Sequence, residues 1–178
     1  AEYSNYTNAG NKYHPSSEKL KGIKNQVKFC LDNLSEIPKN EKKLFQVGCS
    51  DGTTLSIFKQ NGWSVTGIDP SPVCSQLALK NYNIDTFTGF FENFKIEKKF
   101  VLFVLTHVLE HLYFPRDTLQ KIYDNILDDG YLFIEIPCLE NEEQFPNSYF
   151  SFEHLQHFSE KLIIDLLNDV GFEILSTR

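Results

Sequence analysis

The stretch Leu44-Phe45-Gln46-Val47-Gly48-Cys49-Ser50-Asp51-Gly52-Thr53-Thr54-Leu55 constrains this chain more than any other. An apolar run breaks into a small, glycine-bearing turn and resumes at helical spacing with Leu55 and Phe58, which predicts a buried strand, a tight loop and a helix. Gly48 and Gly52 lack Cβ, so backbone can approach a bound molecule there, and the start of the helix offers unpaired N–H groups. The turn is not a phosphate loop, because the closing Gly-Lys-Ser/Thr is absent, and it lacks the strict G-x-G-x-x-G spacing. A second strand, Ser64-Val65-Thr66-Gly67-Ile68-Asp69, ends on a carboxylate 17 positions beyond Gly52. That is near the spacing at which a dinucleotide fold sets an acid against a ribose diol. Two hydroxyls donate and an ionised carboxylate accepts, so the residue type suits the task. The other reading of Asp69 is a turn former or helix cap before Pro70.

Around this centre the chain reads as alternating strands and helices. Residues 1–17 are polar and aromatic without periodicity and form an extended lead-in, whose Tyr6 and Tyr13 either fold over a ligand or lie in a surface tail. A helix is expected from Ser17 through about Leu34, with Leu20, Ile23, Val27, Phe29 to Leu31 and Leu34 on one face. Residues 1–40 thus make a lead-in and covering helix, and 41–178 a core. In the core come a strand, loop and helix over 43–61, the second strand, and a helix opened by Pro72 to about Asn81. A third strand is expected over 84–88, an apolar fourth from Phe100 to Thr106, and a helix from Pro115 to Leu127 stopped at Asp128-Asp129-Gly130. A fifth strand over 131–136, a helix from Ser159 to about Val170 and a sixth strand over 171–175 complete the reading. The pattern is that of an α/β, doubly wound, mostly parallel sheet. The acidic, aromatic segment 137–151 follows the fifth strand and can reach over the pocket.

Composition narrows the partners. With 178 residues there is room for one domain with a sizeable core. A formal net charge of -7 argues against nucleic acid as the main partner, since phosphate neutralisation needs clustered Lys and Arg. Lys39, Lys42, Lys43 and Lys95, Lys98, Lys99 are the basic clusters, each at a solvated approach to a strand. Four scattered cysteines give neither a zinc ribbon nor a disulfide framework, and reduced cytoplasmic thiols are the simple reading. No apolar run has membrane-spanning length and no signal peptide opens the chain. Methionine is absent even at position 1, so the expectation is a fragment of a longer protein.

The histidines carry the chemistry of interest, because their unperturbed charge change lies near neutral pH. His107, Glu110 and His111 are spaced i, i+3, i+4, which on a helix would share a face, and His154 and His157 share a similar relation. Three readings stand. His154, oriented by neighbours such as Glu153, is a general base; or these groups ligate a divalent metal; or His111 and His157 are interior or capping residues. The first is adopted, with His154, Glu153 and His111 as catalytic residues and no resident metal.

Val47 to Leu55, followed by Gly67-Ile68-Asp69-Pro70-Ser71, resembles the first two motifs of class I S-adenosylmethionine-dependent methyltransferases. Gln46 stands where that family's first motif has an acid, and Ser50 where it has its middle glycine. The resemblance implies a Rossmann-like fold and S-adenosylmethionine as cofactor. Gly48, Cys49, Ser50 and Gly52 would hold the methionine portion, Asp69 and Pro70 the ribose, and Phe90 and Phe91 the adenine, with Thr106 and His107 at the end of the fourth strand. The family's seventh, antiparallel strand is missing from this chain. Together with Ile134-Glu135-Ile136-Pro137, Glu153-His154 and Phe158-Ser159, the motifs resemble the methyltransferase core of sugar C-methyltransferases, although Ser151 replaces that family's tyrosine and its cysteine-rich zinc module is absent. The implied partner is a small-molecule or sugar-nucleotide substrate, with no nucleic acid and no membrane. The implied activity is cytoplasmic methylation of a sugar, nucleotide sugar or surface-glycan precursor. Rival readings are a metal-dependent O-methyltransferase of the RNA 2'-O or quinol type, and a cofactor-binding pseudoenzyme subunit.

Overall fold

The computed structural model describes residues 15–140 and 153–177. Tyr6 and Tyr13, and most of the acidic loop after the fifth strand, lie outside the described residues. The elements in order are α1 (Ser17–Asn33), β1 (Lys43–Val47), α2 (Thr53–Gln60), β2 (Ser64–Asp69), α3 (Pro72–Tyr82), β3 (Phe87–Thr88), β4 (Phe100–Thr106), α4 (Pro115–Asn125), β5 (Ile126–Glu135) and α5 (Glu160–Val170). Short 3-10 turns occupy Phe91–Asn93 and Leu109–His111.

The five strands form one parallel sheet in the order β3-β2-β1-β4-β5. Alternate residues of β1 and β4 feed opposite faces. Phe45 and Phe103 join Leu119, Ile122 and Val170 on one side, while Leu44 and Leu102 join Val27, Cys30, Leu55 and Phe58 on the other. Phe45 anchors the first side, its ring 5.2 to 5.7 Å from those of Phe91, Phe94, Phe100 and Phe103. Helices start where the sequence marks them: the Ser16, Ser71 and Ser159 hydroxyls accept from the amides of Lys19, Cys74 and Leu162. Gly171 closes α5 in the left-handed conformation.

Four expectations are corrected. The third strand shrinks to Phe87–Thr88, pairing only with Ile68 and Asp69, because it is a sheet edge whose residues are exposed. The fourth helix ends at Asn125, and β5 begins at once at Ile126 instead of at residue 131. Register jumps from Phe100 opposite Ile126 to Leu102 opposite Tyr131, so Asp128-Asp129-Gly130 is an irregularity within the strand and not a connection before it. Residues 172–177 belong to no strand among the described residues; Phe172 packs edge-on against Tyr123 instead. His107, Glu110 and His111 lie on no regular helix, since only a 3-10 turn spans Leu109–His111.

Candidate functional site

The order of the sheet reverses about β1, whose neighbours β2 and β4 run their chains away to opposite sides. Ligands of open α/β sheets bind at the carboxyl ends of strands at such a point. A cleft of about 2420 Å³ opens there, lined by Gln46, Gly48, Ser50, Asp69, Thr106 and His154 among others. It exceeds what a nucleoside needs because it continues along the unpaired side of β5.

The turn after β1 is shaped by contacts that only small residues allow. Gly48 has φ 65°, and a Cβ there would lie 2.5 Å from Val108 Cγ2. Ser50, at the motif position where glycine is usual, is held at φ 48°, which explains that preference and means this chain keeps a strained side chain in its place. Gly67 on β2 lies beneath the turn, where a Cβ would come within 2.6 Å of Leu55 Cδ1 and 2.8 Å of Cys49 Sγ.

Asp69 ends β2 buried at 4% exposure. Its two oxygens accept from the amides of Ser50 and Ser71, each at 2.9 Å, so the carboxylate ties the first turn to the second strand. The Cys74 side chain bonds to it as well, and Asp69 lines the cleft. Burial raises the carboxyl above its ordinary range, with the Ser71 and Ser50 amides opposing. Burial, then the charge of Asp69, pushes Cys74 up to about 11 and Cys49 further in the same direction, so neither thiol serves as a nucleophile near neutral pH.

Among the described residues, several buried acceptors around this cleft have no hydrogen-bond partner: Gln46 Oε1, Asp51 Oδ2, Thr106 Oγ1 and Glu110 Oε2. Orphaned buried oxygens are costly and uncommon, so four along one cleft signal a ligand that donates. S-adenosylmethionine, with an ammonium, a sulfonium and two ribose hydroxyls, fits this set. Gln46 Oε1, where the family's first motif has an acid, is one of these four.

At the end of β4 the chain turns through His107, at φ 51°, into the Leu109–His111 turn. His107 Nδ1 lies 3.3 Å from Glu110 Oε1 and its Nε2 3.5 Å from Glu135 Oε1, and these hydrogen bonds raise the imidazole to about 9. Glu135 also accepts from Gln26 at 2.6 Å, linking α1 to the site. The segment after the undescribed loop is laid alongside: the Gln156 amide donates to the Glu110 carbonyl, and Phe158 bridges to Cys138. This brings His154 edge-on to His111, with ring centroids 5.0 Å apart. His111 Nδ1 lies 2.7 Å from the Glu153 carbonyl; a carbonyl only accepts, so Nδ1 donates.

The cleft therefore gathers Gly48, Cys49, Ser50, Asp69, Pro70, Phe90, Phe91, Thr106, His107, His111, Glu153 and His154 along its lining, while Gly52 serves from behind, packed on Ala78. The aromatic pair divides: Phe90 is 65% exposed, whereas Phe91 is a 4% exposed core residue under Lys121. Glu153 meets His111 through its backbone oxygen, its own side chain being exposed. Sequence reasoning gave no role to Gln26 or Val108, and named Gly67 only as part of the second motif. Only Gly67, a glycine inside a strand, carried a signal.

A family described as a methyltransferase domain matches residues 23–177. The mitochondrial ubiquinone biosynthesis O-methyltransferase of Schizosaccharomyces pombe is 28% identical over 115 residues, covering 57% of this chain and 42% of that protein. The chain thus spans less than half of that relative's length. A methyltransferase from Archaeoglobus fulgidus described as SAM dependent superposes with a TM-score of 0.70 at 20% identity, covering 88% of this chain and 72% of the other. The plantazolicin methyltransferase BpumL, solved in complex with SAH, gives 0.68 at 16% identity, covering 95% and 68%. The glycine turn, the acid-tipped second strand and a family match across nearly the whole described chain lead to one placement: it belongs to the class I S-adenosylmethionine-dependent methyltransferases.

Proposed function

We propose that this chain transfers the methyl group of S-adenosylmethionine to a hydroxyl of a small-molecule acceptor seated between the turn after β1 and the His111–His154 pair. The observation that carries the reading is the row of unpartnered buried acceptors at Gln46, Asp51, Thr106 and Glu110 along the cleft. They suit a cationic, donor-rich cofactor. Asp69 would receive the ribose hydroxyls, with Phe90 beside the adenine.

Transfer is an in-line displacement: the acceptor oxygen bonds to the methyl carbon while the carbon–sulfur pair returns to sulfur, giving S-adenosylhomocysteine. The protein's main contribution is alignment. The acceptor must also lose its proton, and His154, stood against His111, activates it. A sugar or nucleotide sugar is the first acceptor to try on the sequence motifs; a quinol is the second, favoured by the likeness to the ubiquinone biosynthesis O-methyltransferase.

Incubation of the chain with S-adenosylmethionine and each acceptor, with S-adenosylhomocysteine as readout, tests the proposal. Turnover is expected with one acceptor class, and His154→Ala should abolish it while sparing S-adenosylhomocysteine affinity. Affinity without turnover across both classes would favour a cofactor-binding subunit instead. No affinity for S-adenosylhomocysteine would overturn the reading.

A further inference from the structure

We propose that Gln26 is a positioning residue for methyl transfer: from α1 it holds Glu135 against His107, and so fixes the turn that carries His111 at the acceptor end. The proposal rests on the reading of the His111–His154 pair as that end.

The residues of α1 give it two faces. Val27 and Cys30 enter the core, while Lys19, Ile23 and Gln26, at steps of four and three, line the cleft. Phe29 sets the helix against β5, its ring 6.1 Å from that of Phe133. Three residues back along α1 and two on along β5 cover similar lengths, about 5 and 7 Å, so this ring pair brings Gln26 to Glu135. Gln26 Nε2 donates to Glu135 Oε1 at 2.6 Å.

The same oxygen lies 3.5 Å from His107 Nε2, and the His107 amide donates to the Glu135 carbonyl at 2.8 Å. His107 Nδ1 reaches the Glu110 carboxylate, the Glu110 carbonyl takes the Gln156 amide, and the Glu153 carbonyl takes the His111 ring proton. A polar chain therefore runs from α1 to His111 and to the segment bearing His154. Its longest link is Glu135 to His107, and the Glu135 side chain is 31% exposed, so water competes for the carboxylate there. The Gln26 amide nitrogen only donates, and its bond to the shared oxygen keeps the carboxylate turned toward His107.

Among the described residues, the charged groups facing the His107 ring are Glu110 from its own turn and Glu135 from β5; α1 adds the neutral Gln26, and the 153–158 segment approaches through backbone. Losing the Glu135 contact lowers the imidazole from about 9 and removes one anchor of a turn that starts at φ 51°. Misplacing a reacting group by about an ångström is enough to slow transfer severely.

Gln26→Met keeps the unbranched side chain and removes the donor. The expected result is a kcat lower by about tenfold, with the KM for S-adenosylmethionine within about twofold of the parent. The His107 ring titration, followed by NMR, should fall by about one pH unit, and the alkaline limb of kcat should move with it. The swapped pair Gln26→Glu/Glu135→Gln again sets a donor against an acceptor, so its kcat should exceed that of Gln26→Glu alone; independent losses would place it lower. A packing role would lower the melting temperature of Gln26→Met and leave both readouts in place. A parental kcat or an unmoved His107 titration in Gln26→Met therefore overturns the inference, whatever the melting temperature. Should the parent methylate no acceptor, the titration decides: a fall in Gln26→Met upholds the link to His107 and sinks the transfer reading alone. Parental turnover with neither readout moved sinks this inference alone.

Discussion

Gly67→Ala tests how the cofactor turn is held. Gly67 lies in β2 opposite Gln46, and its backbone is not in the left-handed region, so a methyl group acts there by volume alone. The new Cβ would sit 2.6 Å from Leu55 Cδ1, 2.8 Å from Cys49 Sγ and 2.9 Å from Cys49 Cβ. The first contact falls about 0.8 Å short of ordinary separation. Leu55 and Cys49 are both buried, so neither has free space to enter. Overpacking of this kind costs about 2–3 kcal/mol, which in a chain of this length lowers the melting temperature by roughly 4 to 12 °C. The cheapest relaxation lifts Cys49 and with it Ser50, whose amide is bonded to Asp69. Cofactor affinity should therefore fall with stability, by about tenfold, or about 1.4 kcal/mol. Thermal unfolding and calorimetry with S-adenosylhomocysteine measure the two effects. In Gly67→Ala/Leu55→Ala, the removed Cδ1 makes room, and the double variant should lose about 1 kcal/mol less than the sum of the single ones. A Gly67→Ala protein that melts with the parent, or loses stability while binding cofactor unchanged, would refute the packing argument.

Three other outcomes are expected. Gln46→Leu removes a buried orphan oxygen, so it should leave the melting temperature level or higher while weakening S-adenosylhomocysteine about tenfold; parental affinity would remove Gln46 from the cofactor contacts. His107 is raised from 6.5 to about 9, so its contribution to stability is fully present below pH 6.5 and is lost as pH rises through 9; melting temperature should fall across that window, and the fall should flatten in His107→Gln. With the ring about half exposed, the effect is modest. Lys121 donates to the carbonyls of Phe91, Glu92 and Phe94, so Lys121→Met should loosen the turn carrying Phe90 and cost about 1–3 kcal/mol, read by denaturant unfolding; unchanged stability would show the turn holds without it.

How much of this was legible in the residues follows from how local each signal is. β2 and β4 were readable to the residue, β4 because burial on both faces leaves an unbroken apolar run and β2 because alternation ends on Asp69; α1 and α5 were legible within a residue or so from a serine at the start, and α3 from Pro72. β3 and the segment after Gly171 were overread: edge position and pairing are properties of neighbours, which a run of β-formers does not reveal. Asp128-Asp129-Gly130 looked like a stop, yet the strand absorbs it as an irregularity. At the site, the cofactor turn and Asp69 were local and legible. The approach of His154 to His111 across 43 positions was readable only as a resemblance, and the hydrogen bond from Gln26 to Glu135 not at all.

Ser50 and His107, both lining the cleft, hold a backbone shape that L-amino acids avoid, at roughly 1 kcal/mol each. Glycine would remove that penalty at either place, at the expense of a hydroxyl or an imidazole. Laboratory evolution under heat alone should therefore favour glycine at Ser50 over His107, whose imidazole pairs with Glu110 and Glu135, and selection for methyl transfer should hold on to His107.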